Sequence, residues 1–222
     1  MNRSKTKRSA IRLLAVLALA AGSAAAQNRN INFDLLAAAR SGDEASVRAL
    51  LAQGASANSR NRLGDTPLNI AAREGKLGLV KLLLDGGADV NLPNLARVTP
   101  LMSAAYDGHD EIVRLLIAHR ADLAPVDRVQ KTAMIYAAGN GNAASVQALL
   151  DAGIDAKARY ANDVTALMWA AAYGTLDSVK LLITRGADVD AKDNRGKTAL
   201  TIAIEEKQCA VVDALRAAGA RE

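Results

Sequence analysis

Residues of one kind recur every 33 positions along most of this 222-residue chain. Thr66, Thr99, Thr132, Thr165 and Thr198 hold one column, and Ala71, Ala104, Ala137, Ala170 and Ala203 hold another five residues on, with Ala38 one period earlier. Valine recurs at Val47, Val80, Val113, Val146, Val179 and Val212, and leucine at Leu50, Leu83, Leu116, Leu149, Leu182 and Leu215. An uninterrupted period of this length restricts the chain to a stack of small units. None can bury its apolar face alone, and each is completed by its neighbours.

Each unit reads as two short helices and a turn. Thr66-Pro67 and Thr99-Pro100 are helix starts: the hydroxyl caps free N–H groups, and proline gives up an N–H that had no partner. The small pair Ala71-Ala72 lets adjacent first helices approach closely, and Gly42, Gly75, Gly108, Gly141 and Gly174 suit a left-handed helix end. The second helix is expected to bury Val80, Leu83 and Leu84, at i, i+3 and i+4. Segments such as Asp193-Asn194-Arg195-Gly196-Lys197 carry turn chemistry and predict a projecting hairpin. Half of the residues are hydrophobic but only 3% are aromatic. Such a core is aliphatic, which suits packed helices and argues against an aromatic-cored sandwich.

These residues resemble the ankyrin repeat. Gly64-Asp65-Thr66-Pro67-Leu68-Asn69-Ile70-Ala71-Ala72 and Gly186-Ala187-Asp188-Val189-Asp190 carry the likeness, which runs from about Asn32 to Glu222. The resemblance implies an all-α solenoid of stacked helix-turn-helix units with projecting β-hairpin loops, and a concave groove lined by first helices and hairpins. It also implies binding to other proteins and no catalysis, with no cofactor or metal. Three departures stand out. Asn69, Met102, Ile135, Met168 and Thr201 replace the family's histidine, so its bonds between repeats are expected to give way to packing on the methionines. Arg120 stands where other units have Gly87, Gly153 and Gly186. Arg97, Gln130 and Asp163 replace the loop glycine, so those tips are expected to be specialised.

Residues 1–26 have a different character. Arg3, Lys5, Lys7, Arg8 and Arg12 precede the apolar run Leu13–Ala21, and Ala24-Ala25-Ala26 precedes Gln27. This is the three-part pattern of a cleaved secretory signal. Those five cations account for the whole net charge of +5, and the remainder is balanced. A broad electrostatic field for nucleic acid is thereby excluded. The expected organisation is a signal at 1–26 and a repeat domain at 27–222. Within that domain lie a cap at 32–58, repeats at 59–91, 92–124, 125–157 and 158–190, and a cap at 191–222. Export predicts a periplasmic monomer, with no membrane contact after cleavage, or else a fully extracellular protein. Exported bacterial ankyrin proteins of this kind have been linked to oxidative-stress defence. The alternative is a secreted effector that binds a host protein.

Candidate chemistry is sparse. Cys209 has no second cysteine to pair with, and His109 and His119 are too few for the usual zinc site. The run Gly139–Ala144 has the form G-x-G-x-x-A, but it falls in the inter-helix glycine column rather than after a strand. Function is expected on the groove. Positions one, three and four before each threonine, and seven and eight after it, map that surface, with Asp65 among them. From this map the partner-binding residues are Arg62, Leu63, Arg73, Leu95, Val98, Tyr106, Asp107, Arg128, Lys131, Asn162, Tyr173 and Arg195. Tyrosine and arginine often dominate interfaces. Tyr136 and Trp169 share the column of Ile70 and Ile202 and read as packing residues.

Overall fold

Threonine before a helix has one strong local option: its hydroxyl accepts an N–H that the helix leaves free. In the computed structural model, which describes residues 31–221, all five column threonines take it. The Oγ1 atoms of Thr66, Thr99, Thr132, Thr165 and Thr198 each accept the N–H three residues on, at 3.1 to 3.4 Å. The first helices that follow are α3 (Pro67–Arg73), α5 (Pro100–Asp107), α7 (Ala133–Gly139), α9 (Ala166–Tyr173) and α11 (Ala199–Glu205). The second helices are α4 (Leu77–Asp85), α6 (Asp110–Ala118), α8 (Ala143–Asp151), α10 (Leu176–Thr184) and α12 (Cys209–Ala217). Before them stand α1, helical over 31–41, and α2 (Glu44–Ala52). The expected signal at 1–26 lies outside the described residues.

First helices stack on first helices and second on second, so two helical layers share one apolar seam. Ala71, Ala104, Ala137, Ala170 and Ala203 are fully buried in it, as are Leu83, Leu116, Leu149, Leu182 and Leu215. The second-helix stripe differs from the expected one: Leu79 is buried beside Val80 and Leu83, while Leu84 is half-buried. In α8 and α10 Ser145 and Ser178 stand at the place of Leu79, fully buried, and their hydroxyls have no hydrogen-bond partner among the described residues. An orphaned hydroxyl of this kind costs on the order of 1–3 kcal/mol.

Neighbouring units are tied by a polar ladder, in which His109 takes the structural role that the resemblance implies for a histidine after Gly108. His109 Nε2 lies 3.0 Å from the Arg73 carbonyl. Asn142 donates to the carbonyls of Ala105 and Tyr106, Thr175 to Ala138, and Gln208 to Ala172. Each rung starts a second helix and reaches the end of the previous first helix. These bonds take the place expected for methionine packing, although Met102 and Met168 are buried as well. The glycine column exists partly for this ladder. A Cβ on Gly75, whose φ is +68°, would lie 2.6 Å from the His109 ring.

The projecting loops are single turns rather than strands. Among the described residues the only β feature is an isolated bridge between Arg159 and Thr165. Each turn is closed by an N–H to carbonyl bond, as from Asn61 to Asp65, Asn94 to Val98 and Asp127 to Lys131. At least one left-handed residue per turn lets the chain reverse. Arg97, Gln130 and Asp163 occupy that conformation in place of glycine, and Arg120 does so after α6. No helix among the described residues is long and apolar enough to cross a membrane.

Candidate partner-binding face

The middle of the stack carries its polar keystone at Asp127. This carboxylate is 2% exposed, yet it meets three donors. Its Oδ1 accepts the N–H groups of Val129 and Lys131, each at 2.9 Å. Its Oδ2 accepts the Tyr136 hydroxyl. Burial, then the bond and charge of Asp127, push the Tyr136 hydroxyl well above its ordinary pKa, so it stays a donor. One side chain therefore fixes both the turn that presents Lys131 and the ring in front of it.

Around that ring the chain gathers four of its six aromatic side chains. The Tyr106 ring meets Tyr136 edge-on, with centroids 5.3 Å apart. Trp169 and Tyr173 stack at 5.7 Å, with planes 11° apart. The Lys131 ammonium lies 4.5 Å from the Trp169 centroid and 5.4 Å from that of Tyr136, bridging the two pairs. No carboxylate pairs with it among the described residues. Gly139 packs under the second pair, where an added Cβ would sit 3.6 Å from the Tyr173 ring and 3.8 Å from that of Trp169. Tyr106 and Tyr173 are 51% and 57% exposed. Quadrupolar ring pairs and cation–π contacts contribute roughly 0.5–1.5 kcal/mol each beyond burial, and they hold this surface in one shape before a partner arrives.

The twelve sequence-derived residues fall into different situations. Tyr106, Tyr173 and Lys131 share the aromatic patch. Leu63 and Leu95 are exposed at the tips of the first two turns, and Arg62 and Arg128 stand exposed beside them. Asp107 is exposed at the end of α5. Val98 is half-buried and packs on the core. Arg73 lies 3.5 Å from Asp65 and 3.6 Å from Glu74. Asn162 is exposed in a short 3-10 turn, with φ of 61°. Arg195 is clipped to Asp193 by two bonds, of 3.0 and 2.8 Å.

Two expectations need correction. Asp65, mapped to the exposed rim, is 1% exposed and accepts from Asn61 and Asn94, linking the first two turns. Its place before the threonine is a bracing position, because the neighbouring turn covers it. Tyr136 and Trp169 are half-buried and pack partly as expected, but their rings also build the exposed patch. Asp127 went unnoticed. Its signal was an acidic residue in the turn column of Asn61, Asn94 and Asp193 with a tyrosine nine residues on.

Among the described residues no group of three or more His, Cys, Asp or Glu could hold a metal ion. The Gly139–Ala144 run spans the end of α7, the turn and the start of α8. A family model described as ankyrin repeats (3 copies) matches residues 9–94, 35–127, 76–160 and 134–221, which together take in nearly the whole chain. A comparison with curated proteins finds no match.

Proposed function

The chain belongs to the ankyrin-repeat family, and from that premise we propose that it holds or regulates one partner protein through the face centred on Lys131. Ankyrin repeats mediate binding to other proteins, and the family is typically non-catalytic. The observation that carries the reading is the gathering of Tyr106, Tyr136, Trp169 and Tyr173 around one ammonium in a chain with six aromatic residues. Rigid aromatic anchors lose little conformational freedom on binding, which is why they dominate interfaces. Lys131 gives the patch a charge that no carboxylate among the described residues satisfies, so an acidic group on the partner fits there. The protein acts after export, as the leader pattern at 1–26 suggests. On this reading its partner is an exported enzyme, and a peroxide-handling enzyme is the specialisation that the resemblance to exported ankyrin proteins suggests.

The test is capture of the partner from periplasmic extract, followed by mass spectrometry. Tyr106→Ala combined with Tyr173→Ala abolishes capture and leaves the helical spectrum and thermal midpoint unchanged. Unchanged capture removes the assignment. Recovery of the protein chiefly outside the cell favours the effector reading instead.

A further inference from the structure

The helix α1 opens the described stack, and its sequence differs from every later first helix. Phe33, Leu36 and Arg40 lie at i, i+3 and i+7, a single stripe. In the 33-residue register they take the places of Thr66, Asn69 and Arg73. Later units put a capping hydroxyl in the first of these places, whereas α1 puts a phenyl ring there, 69% exposed. Opposite it stands Leu63 at the tip of the first turn, 67% exposed. Between them lies a cavity of about 750 Å³, within the size of binding clefts.

The charge of this cavity is one-sided. Arg40, Arg60 and Arg62 line it, and no carboxylate does. Arg60 is spent on structure, donating to the carbonyls of Pro93 at 2.9 Å and Gly64 at 3.4 Å. Arg40 and Arg62 form no ion pair among the described residues, and residues 1–30 contain no acidic residue to complete them. Guanidinium groups without a counter-charge, beside exposed phenyl and leucyl groups, call for an occupant that is anionic and apolar at once.

We propose that this cavity is the anchor point for an acidic segment of the partner protein. A large apolar side chain of that segment enters between Phe33 and Leu63, and flanking carboxylates meet Arg40 and Arg62. The site rests on the partner-binding reading above and deepens it, because Arg40 occupies the same repeat column as Tyr106 and so continues the patch toward the start of the stack. The partner is thereby identified by chemistry: an exposed acidic stretch with a bulky apolar centre.

The experiment uses the purified full chain and a fluorescein-labelled peptide with a Phe-Leu core flanked by glutamates, read by anisotropy. The glutamate peptide binds, and its lysine-flanked counterpart does not. Raising the salt weakens binding, as screening of charge requires. Arg40→Glu with Arg62→Glu reduces binding roughly tenfold or more, as loss of paired charges in an interface does. Phe33→Ser also reduces binding, with the thermal midpoint confirming that the stack remains folded. Equal binding of both peptides, no binding of either, or an unchanged affinity in the arginine variant overturns the proposal. So does tight binding of laurate to the cavity with no peptide binding, since the occupant is then a free amphiphile. The tyrosine pair's effect on partner capture is a separate readout. The peptide site can therefore fail while the aromatic patch stands, and the reverse.

Discussion

The third and fourth turns stand one repeat apart and are built by opposite means. At the third, Asp127 folds the loop by taking two backbone N–H groups on one oxygen. At the fourth, the same column holds Tyr160, whose hydroxyl accepts none of the turn's N–H groups. The loop there becomes a 3-10 turn with Asn162 and Asp163 both left-handed. The tips of the first three turns are joined by backbone bonds, Leu95 to Leu63 and Arg128 to Ala96, and a further bond joins Asn194 to Asn162. The Tyr160 ring turns inward instead, beside a cavity of about 530 Å³ shared with Leu123, Val126 and Ile154. Its hydroxyl is buried next to Thr132 without a hydrogen bond of regular geometry, and burial pushes its pKa up to about 12. The pair shows that, beyond the backbone bond that closes every turn, a turn in this stack is braced either by a side-chain carboxylate or by apolar packing. Only the polar version also orders the binding face.

The sharpest way to break that comparison is to remove each keystone. Asp127→Ala removes the acceptor of the Val129 and Lys131 N–H groups and of the Tyr136 hydroxyl, so it lowers stability by about 2–3 kcal/mol. Tyr160→Phe keeps the packing and changes stability by less than about 0.5 kcal/mol. Urea denaturation of both variants decides, and equal losses would show that the two turns are held alike.

A smaller effect separates the first turn from the last. Gly64 and Gly196 share one column and one φ, +79°. Alanine at either position costs about 1 kcal/mol for the left-handed backbone. At Gly64 the new Cβ would also lie 2.7 Å from the Leu95 backbone nitrogen, whereas Gly196 has nothing within 4 Å. Gly64→Ala therefore loses about 2–3 kcal/mol in all, and Gly196→Ala only the backbone cost. Matching losses would mean that the neighbouring turn yields freely.

The smallest effect is a dependence on pH. Burial alone would raise the Asp193 pKa, but the N–H of Lys197 and the side chain and N–H of Arg195 outweigh it and hold it below the ordinary 3.8. A depressed folded pKa means stability that is complete above about pH 4 and is lost as the pH falls through the folded value. Asp193→Asn flattens that acid limb of the thermal midpoint. The exposed Asp43 and Asp151 are lowered as well, by their bonds to Ser46 and to Gln147 with Arg185, and leave a residual, salt-sensitive slope in the variant. An unaltered acid limb in Asp193→Asn would place the dependence elsewhere.

Much of this was legible in the chain. The threonine, alanine, valine and leucine columns act locally or through the neighbouring unit in fixed register, so period and chemistry together imply caps, seam and stack. Tyr173 was legible as surface because its column, with Glu74, Asp107, Asn140 and Glu206, is exposed in every unit, whereas the columns of Tyr106 and Lys131 also hold the buried Gly139 and Asp65. Asp65 was misplaced because its exposure depends on Asn94 from the next turn. Of the ladder, His109 was legible as a structural histidine, but Asn142, Thr175 and Gln208 were not, because their column varies in residue type and is uniform only in what it reaches.

The helix pairs, their order and the aliphatic seam are written into the order of residues, since they follow from contacts repeated at one spacing. Which rings meet, that Asp127 orders the patch, and that Arg40 and Arg62 line a cavity with no carboxylate among its lining residues emerge only once the units are stacked. Such features arise once, between particular side chains that only one pair of neighbouring units carries. No repeat in the sequence can announce a contact that occurs a single time.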